Sequence, residues 1–145
     1  MRICCVRLGR VEAKKNNTMA TITNFRIKRM SPLFLVSDLA GSIEFYTKEL
    51  GFALDFRYED FYAGIVKDGC SIHLKVGNPS SNERRNKRSN DDLDITFSID
   101  SLDDLYQELS NKAIDIVQPM RDMPYGREFY VADPDGYIIG FLAEK

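Results

Sequence analysis

The sequence predicts an α+β fold in which two βαβββ modules form curved mixed sheets around a cleft. The order strand, helix, strand, strand, strand occurs twice, about 60 residues apart. Each helix follows a pair of residues with capping oxygens, Ser37-Asp38 in the first half and Asp100-Ser101 in the second. A half of ~50 residues has too little core to be stable alone. The halves are therefore expected to pair with each other or with a second chain.

The first module begins with a short apolar strand, Leu33–Val36, which follows Pro32. A helix comes next, because Leu39, Ile43, Tyr46 and Leu50 recur at helical spacing before Gly51. Three strands are predicted after it, and Asp68-Gly69 is typical of the two-residue turn between the last two. They are Phe52–Tyr58, Phe61–Lys67 and Cys70–Val76.

The second module repeats this order from Leu93–Ile99, which alternates as a strand. Leu102, Leu105 and Leu109 predict the helix. The remaining strands are predicted at Ala113–Val117, Arg127–Val131 and Tyr137–Leu142, with a turn at Asp133-Pro134-Asp135-Gly136 before the last.

These elements divide the chain into an N-terminal extension, residues 1–29, and a domain, residues 30–145. The modules span about 30–77 and 92–145, and a linker, 78–91, joins them. The linker lies in a segment without hydrophobic residues, which predicts a surface loop whose charges are solvated. The first eighteen residues are basic and patternless, so we expect disorder in part of the extension. Either the natural start is Met19, or the upstream piece is a short targeting segment.

Composition excludes several classes of protein. The net charge of −2 gives no reason to expect a nucleic acid or an anionic membrane as partner. No apolar run approaches the ~18–20 residues that cross a bilayer. The three cysteines, Cys4, Cys5 and Cys70, form neither a disulfide framework nor a zinc spacing. A reducing, cytoplasmic location is therefore predicted.

Strand alternation indicates which side chains share a face. Ser71, His73 and Lys75 lie opposite the apolar residues of their strand, and Asp94, Thr96 and Ser98 do the same in the strand that opens the second module. In a curved sheet these polar faces could line a concave pocket. The alternative is that each sheet simply shows its polar side to water.

Several motifs resemble the vicinal-oxygen-chelate superfamily, which includes glyoxalase I, extradiol dioxygenases and bleomycin-resistance proteins. They are Val36-Ser37-Asp38-Leu39, Phe45-Tyr46, Leu50-Gly51-Phe52, Tyr125-Gly126-Arg127-Glu128-Phe129 and Asp133-Pro134-Asp135-Gly136. The resemblance runs from about Ser31 to Lys145 and is closest to the bleomycin-resistance proteins. It implies a homodimer that does no chemistry and sequesters a cationic drug in two grooves at the subunit interface.

The resemblance also places the metal ligands of the metal-dependent relatives. The matching positions here are Ser31, His73, Asp94 and Gly140. Glycine offers no donor and a serine hydroxyl is a poor ligand, whereas a stable catalytic site normally has three protein ligands. The sequence therefore predicts neither a metal nor another cofactor.

For the ligand site, the resemblance implies a groove lined by Phe56, Phe61 and Tyr125. Tyr125 is the strongest candidate for ligand binding, because a Pro-Tyr-Gly turn is an unusual place for a ring that belongs to the core. Phe56 has core packing as an alternative role. His73 could be a general base with Asp94, a ligand contact or a filler of the sheet face. Relatives carry tryptophans where Thr96 and Ser98 stand, and the positive charge of Lys75 disfavours a cationic drug. We therefore expect the chain to share the fold and the groove of these relatives more than their drug specificity.

Three functions remain open from the sequence. The first is a metal-free binding protein of the bleomycin-resistance type with an antibiotic or similar small molecule as ligand. The second is a glyoxalase-type lyase, isomerase or transferase with an atypical metal set, which metal analysis would distinguish. The third is a vestigial cleft with a role in protein interaction, which calorimetry with bleomycin would distinguish.

Overall fold

The computed structural model describes residues 24–145, and they form three α-helices and eight strands. The first module contains β1 (Leu33–Val36), α1 (Leu39–Glu44), β2 (Ala53–Tyr58), β3 (Tyr62–Lys67) and β4 (Cys70–Val76). A helix between the modules is α2 (Ser81–Asn90). The second module contains β5 (Ile95–Ser98), α3 (Leu102–Ser110), β6 (Asp115–Met123), β7 (Gly126–Ala132) and β8 (Ile138–Glu144).

Each module folds into its own four-stranded mixed sheet. The strand order is β1-β4-β3-β2 in the first sheet and β5-β8-β7-β6 in the second, so the two modules have the same topology. In each sheet the first strand pairs in parallel with the last, and the other pairs are antiparallel. The predicted α+β fold of two βαβββ modules is confirmed.

One hydrophobic core joins the two modules. The first sheet contributes Phe34, Val36, Ala63, Ile65, Ile72 and Leu74, and the second contributes Phe129, Val131, Ile139 and Phe141. Leu39 of α1 and Leu102 and Leu109 of α3 belong to the same cluster. Because strand side chains alternate between faces, each sheet turns its other face away from this shared core.

Polar contacts from the turn before β8 also tie the modules together. Tyr46 donates its hydroxyl to Asp133 Oδ2 at 2.9 Å, and the Leu35 amide donates to the Tyr137 hydroxyl at 2.9 Å. Asp135 accepts from the amide and the hydroxyl of Ser37 at 3.0 and 2.6 Å. The predicted Asp133-Pro134-Asp135-Gly136 turn therefore also serves as an inter-module contact.

The segment between the modules is helical, so its prediction as a loop with solvated charges is wrong. Ser80 caps α2 by accepting from the Glu83 amide at 3.3 Å. Arg84 and Lys87 pair with Asp94, and Arg88 pairs with Asp115. These ion pairs hold a helix that has no apolar face to bury.

Two other elements differ from prediction. The first helix is α-helical to Glu44 and then continues as a π-helical turn over Phe45–Glu49. The strand predicted at Ala113–Val117 runs instead from Asp115 to Met123, with two irregularities in its pairing to β7. Such irregularities break the alternation that marks a strand in a sequence.

The predicted start at Met19 and most of the predicted extension lie outside the described residues. Within residues 24–145, no helix is long and apolar enough to cross a membrane.

Candidate functional site

The outward face of the first sheet carries a cluster of rings. Register places Phe56 beside Gly64, Gly64 beside His73 and Tyr58 beside Tyr62. The Phe56 ring lies 5.6 Å from Tyr62 and 5.2 Å from His73, edge-on to the latter. Tyr58 and Phe61 each stack with Tyr62, and these two outer rings are 59% and 52% exposed. We call this group, Phe56, Tyr58, Phe61, Tyr62 and His73, the ring cluster.

Gly64 provides the floor on which Phe56 lies. A β-carbon at Gly64 would lie 2.7 Å from Phe56 Cζ and 2.8 Å from its Cδ1, closer than real β-carbon contacts. The absence of a side chain in β3 is therefore what lets the ring pack flat on the sheet, as aromatic rings commonly do over strand glycines.

His73 is held in the ring cluster by one hydrogen bond. Its Nδ1 lies 2.6 Å from the Tyr62 hydroxyl. Its Nε2 is buried and has no hydrogen-bond partner among the described residues. A buried polar atom without a partner costs free energy, so the ring cluster keeps one unused hydrogen-bonding group beneath its exposed rings.

The outward face of the second sheet is polar at one edge and aromatic at the other. Thr96 and Ser98 are exposed on β5, as predicted from alternation. Toward the other edge, Glu128 of β7 is buried and accepts from Tyr125, Tyr130 and Arg121 at 2.8, 2.6 and 2.9 Å. Burial raises the pKa of Glu128, but these hydrogen bonds outweigh it and the net pKa lies below the ordinary value. A charged Glu128 thus orients the Tyr125 ring, which is 51% exposed.

Asp94 is bound on both carboxylate oxygens by groups of its own chain. Arg84 and the Ile138 amide donate to Oδ2 at 2.8 Å each, and Lys87 donates to Oδ1 at 2.6 Å. The Arg84 guanidinium also lies 4.2 Å over the Tyr137 ring. Burial raises the pKa of Asp94, but the three donors lower it to a net value below the ordinary one. We call Asp94, Arg84 and Lys87 the charge clamp.

The four positions that match relatives' metal ligands do not fit a metal ion here. The Ser31 hydroxyl is hydrogen-bonded to the Ser71 hydroxyl, and the Asp94 carboxylate is already bound by Arg84 and Lys87. Gly140 has no side-chain donor atom, and the Leu93 side chain fills the space that a side chain at Gly140 would need. His73 alone has a free nitrogen, and within residues 24–145 no three His, Cys, Asp or Glu side chains are grouped as a metal site would need.

The structure distributes the predicted site residues over two surfaces. Phe56, Phe61 and His73 lie together in the ring cluster, whereas Thr96, Ser98 and Tyr125 lie on the second sheet. Asp94 lies in the charge clamp. Sequence reasoning missed Tyr58 and Tyr62, which share the outward face with Phe56, and Arg121 and Glu128, which support Tyr125. Alternation along β3 could have placed Tyr62, because Ala63 and Ile65 face the core.

Two βαβββ modules packed on one core, each with an open sheet face, define a glyoxalase/bleomycin-resistance fold. The family model described as Glyoxalase/Bleomycin resistance protein/Dioxygenase superfamily matches residues 26–141, and the chain belongs to this superfamily. The predicted resemblance is thus confirmed. The chain is 31% identical over 130 residues to the bleomycin resistance protein of Geobacillus stearothermophilus, a match that covers 78% of this chain and 94% of the relative.

Solved structures have the same fold. The bleomycin-binding protein of Streptomyces verticillus, complexed with copper(II)-bleomycin, matches with a TM-score of 0.60 and 20% identity over 83% of this chain and 99% of that one. The fosfomycin resistance protein FosX of Listeria monocytogenes matches with a TM-score of 0.64 and 16% identity over 83% and 96%.

Substituting Gly64 by alanine is expected to displace the Phe56 ring and open the ring cluster. His73 is the only histidine of the chain, so its imidazole gives a single set of NMR signals that senses the neighbouring rings. We expect these signals to move toward random-coil positions, with a stability loss of about 1–3 kcal/mol from overpacking. Gly69→Ala is the control for the imidazole signals, because its β-carbon would meet nothing within 4 Å and any loss of stability there comes from the φ of +79°. Unchanged imidazole signals in Gly64→Ala would show that the ring does not depend on the glycine.

Proposed function

We propose that this protein is a metal-free binding protein that sequesters a small molecule of the antibiotic type and does no chemistry on it. The observation that carries the proposal is the ring cluster, in which two half-exposed rings, Tyr58 and Phe61, face outward beside His73. Aromatic faces of this kind bind planar or cationic groups by stacking, each ring contributing about 0.5–1.5 kcal/mol. The curated relatives named for bleomycin resistance support the same direction.

The binding groove in this proposal is completed by a second copy of the chain. The two outward faces point away from one shared core, so a single chain cannot close a groove between them. On the face that carries His73, β1 also exposes two apolar side chains, Leu33 and Leu35. An exposed apolar patch of this kind marks an interface. In a symmetric dimer, the ring cluster of one protomer would face Thr96, Ser98 and Tyr125 of its partner.

Light scattering and calorimetry test the two parts of the proposal. We expect a solution mass of about 33 kDa, twice the 16.6 kDa of one chain, and saturable heat with bleomycin at one ligand per groove. A monomer would contradict the shared groove, and no heat at high drug concentration would exclude bleomycin as ligand. One tightly bound divalent ion per chain, lost together with activity on chelation, would favour the enzyme alternative.

Removing the Tyr125 ring is expected to weaken binding of bleomycin by about two- to tenfold, the value of one stacking contact. The ring stands half-exposed at a hairpin tip, so Tyr125→Ala should leave the fold intact. Tyr125→Phe is the matched control, since it keeps the ring and loses only the hydroxyl bond to Glu128. Equal affinities of Tyr125→Ala and the unsubstituted protein would remove Tyr125 from the groove.

A further inference from the structure

A cavity of about 490 Å³ lies between the modules, at the edge of the shared core. The β3–β4 hairpin of the first module forms one wall, and the end of β5 with α3 of the second forms the other. Its floor is apolar and made by Leu50, Phe52, Phe97, Ile99, Leu105 and Phe141. Small-molecule sites in proteins typically measure about 300–1,000 Å³ and are mostly apolar. In size and lining this cavity falls within that class.

Aromatic rings give the floor a preference for flat ligands. Phe97 lies 5.9 Å from Phe52 and 5.9 Å from Phe141, so three rings from the two modules meet beneath the opening. Ring edges and faces of this kind add about 0.5–1.5 kcal/mol to the burial of an aromatic ligand. Phe97 lies on the core-facing side of β5, opposite the outward face that carries Thr96. The ring floor and the proposed groove therefore lie on opposite sides of β5.

The rim of the cavity is strongly acidic. Asp68, Asp100 and Asp104 are exposed, and within the described part of the chain no side-chain hydrogen bond or salt bridge engages their carboxylates. Glu108 also lines the rim and pairs with Lys112 at 2.9 Å, and Lys67 is the one cation of the lining. With Lys112 counted beside Glu108, four carboxylates face two ammonium groups and leave an excess of two negative charges. Such a rim attracts a cation and repels a carboxylate.

We propose that this cavity is a second binding site, for a small molecule with an aromatic body and one protonated amine. The body lies on the ring floor and the ammonium group faces Asp100 and Asp104 at the rim. The site does not depend on the ring cluster or on the charge clamp, because none of their residues lines it. Ser98, at the end of β5, is the one residue of the proposed groove that also lines the cavity.

A paired titration tests the charge preference. NMR shifts are followed with 2-phenylethylamine and with its acidic counterpart, 3-phenylpropionate. We expect the amine to perturb the Phe97 and Leu105 signals saturably and to bind at least about threefold more tightly than the acid. Asp100→Asn with Asp104→Asn should weaken the amine by about three- to tenfold, the value of one or two exposed ion pairs. Asp103→Asn is the matched control, because Asp103 pairs with Arg127 at 2.8 Å outside the cavity.

Cys70 offers a second measurement, because it is exposed and lines the cavity. In a variant with Cys4 and Cys5 replaced by serine, we expect the amine to slow modification of Cys70 by a thiol reagent and to leave the His73 imidazole signals unmoved. Equal binding of amine and acid would overturn the proposal. So would amine-induced shifts confined to His73 and Tyr125, or the absence of any shift at millimolar amine.

Discussion

Asp94→Ala is expected to lower the free energy of unfolding by about 3–5 kcal/mol, the usual effect of removing one partner from a buried ion pair. The substitution leaves Arg84, whose side chain is only 11% exposed, and Lys87 without their shared acceptor. It also leaves the Ile138 amide without its partner. The loss therefore reaches both α2 and the start of β8. Urea unfolding at neutral pH measures it.

Asp115→Ala is the matched control for this prediction. Arg88 of the same helix pairs with Asp115 at 2.5 and 2.8 Å, but both side chains are about half exposed. Exposed pairs contribute about 0–1 kcal/mol. If the two substitutions cost the same free energy, the charge clamp is not the group that fastens α2.

The pH dependence of stability should show a large contribution from Asp133. Burial raises the pKa of this carboxyl to about 6 from 3.8, despite hydrogen bonds from the Tyr137 amide, the Tyr46 hydroxyl and the Asp135 amide. The folded protein therefore binds this proton more tightly than the unfolded chain does. The resulting stabilisation is complete below pH 3.8 and is lost as the pH rises through about 6. A shift of roughly two units corresponds to about 3 kcal/mol.

Urea titrations of the unsubstituted protein and of Asp133→Asn between pH 4 and 7 measure this contribution. The asparagine variant should gain about 2–2.5 kcal/mol relative to the unsubstituted protein as the pH rises across that interval, because its side chain does not titrate. Parallel pH curves for the two proteins would show that Asp133 does not change its proton affinity on folding.

Asp94 is expected to act on pH dependence in the opposite direction. Its pKa is lowered in the folded protein, so its stabilisation is present above the unfolded value and is lost as the pH falls through the lower folded value. The two carboxyls differ because Asp94 has two cations as partners and Asp133 has none among the described residues.

The regular elements could be predicted from local signals. Leu33–Val36 and Cys70–Val76 have the predicted bounds, since a proline, alternation and an Asp-Gly turn mark their ends. Hydrophobic periodicity could not indicate the helix α2, because α2 has no hydrophobic residue. Ser80 followed by Glu83 is a capping-box pattern that could have indicated it.

The candidate site was less accessible to prediction because its contacts cross between distant segments. Phe56 could be named from the resemblance, but the Gly64 floor depends on the register of β2 against β3, including an irregularity after Leu54. The pairing and the lowered pKa of Asp94 depend on Arg84 and Lys87, which belong to a segment predicted as a loop with solvated charges. Strand alternation gives the face on which Asp94 lies, but it carries no information about which helix covers it.

The charge clamp also constrains how this chain can evolve. A substitution that added a carboxylate at Gly140 would meet the Leu93 side chain in the closely packed space above β8. The carboxylate of Asp94 would still be held by Arg84 and Lys87. A metal site that used both positions therefore requires changes in α2 to release Asp94 and at Leu93 to make room for a ligand at Gly140. The same contacts that stabilise the fold at these two positions thus oppose the gain of a metal ligand there.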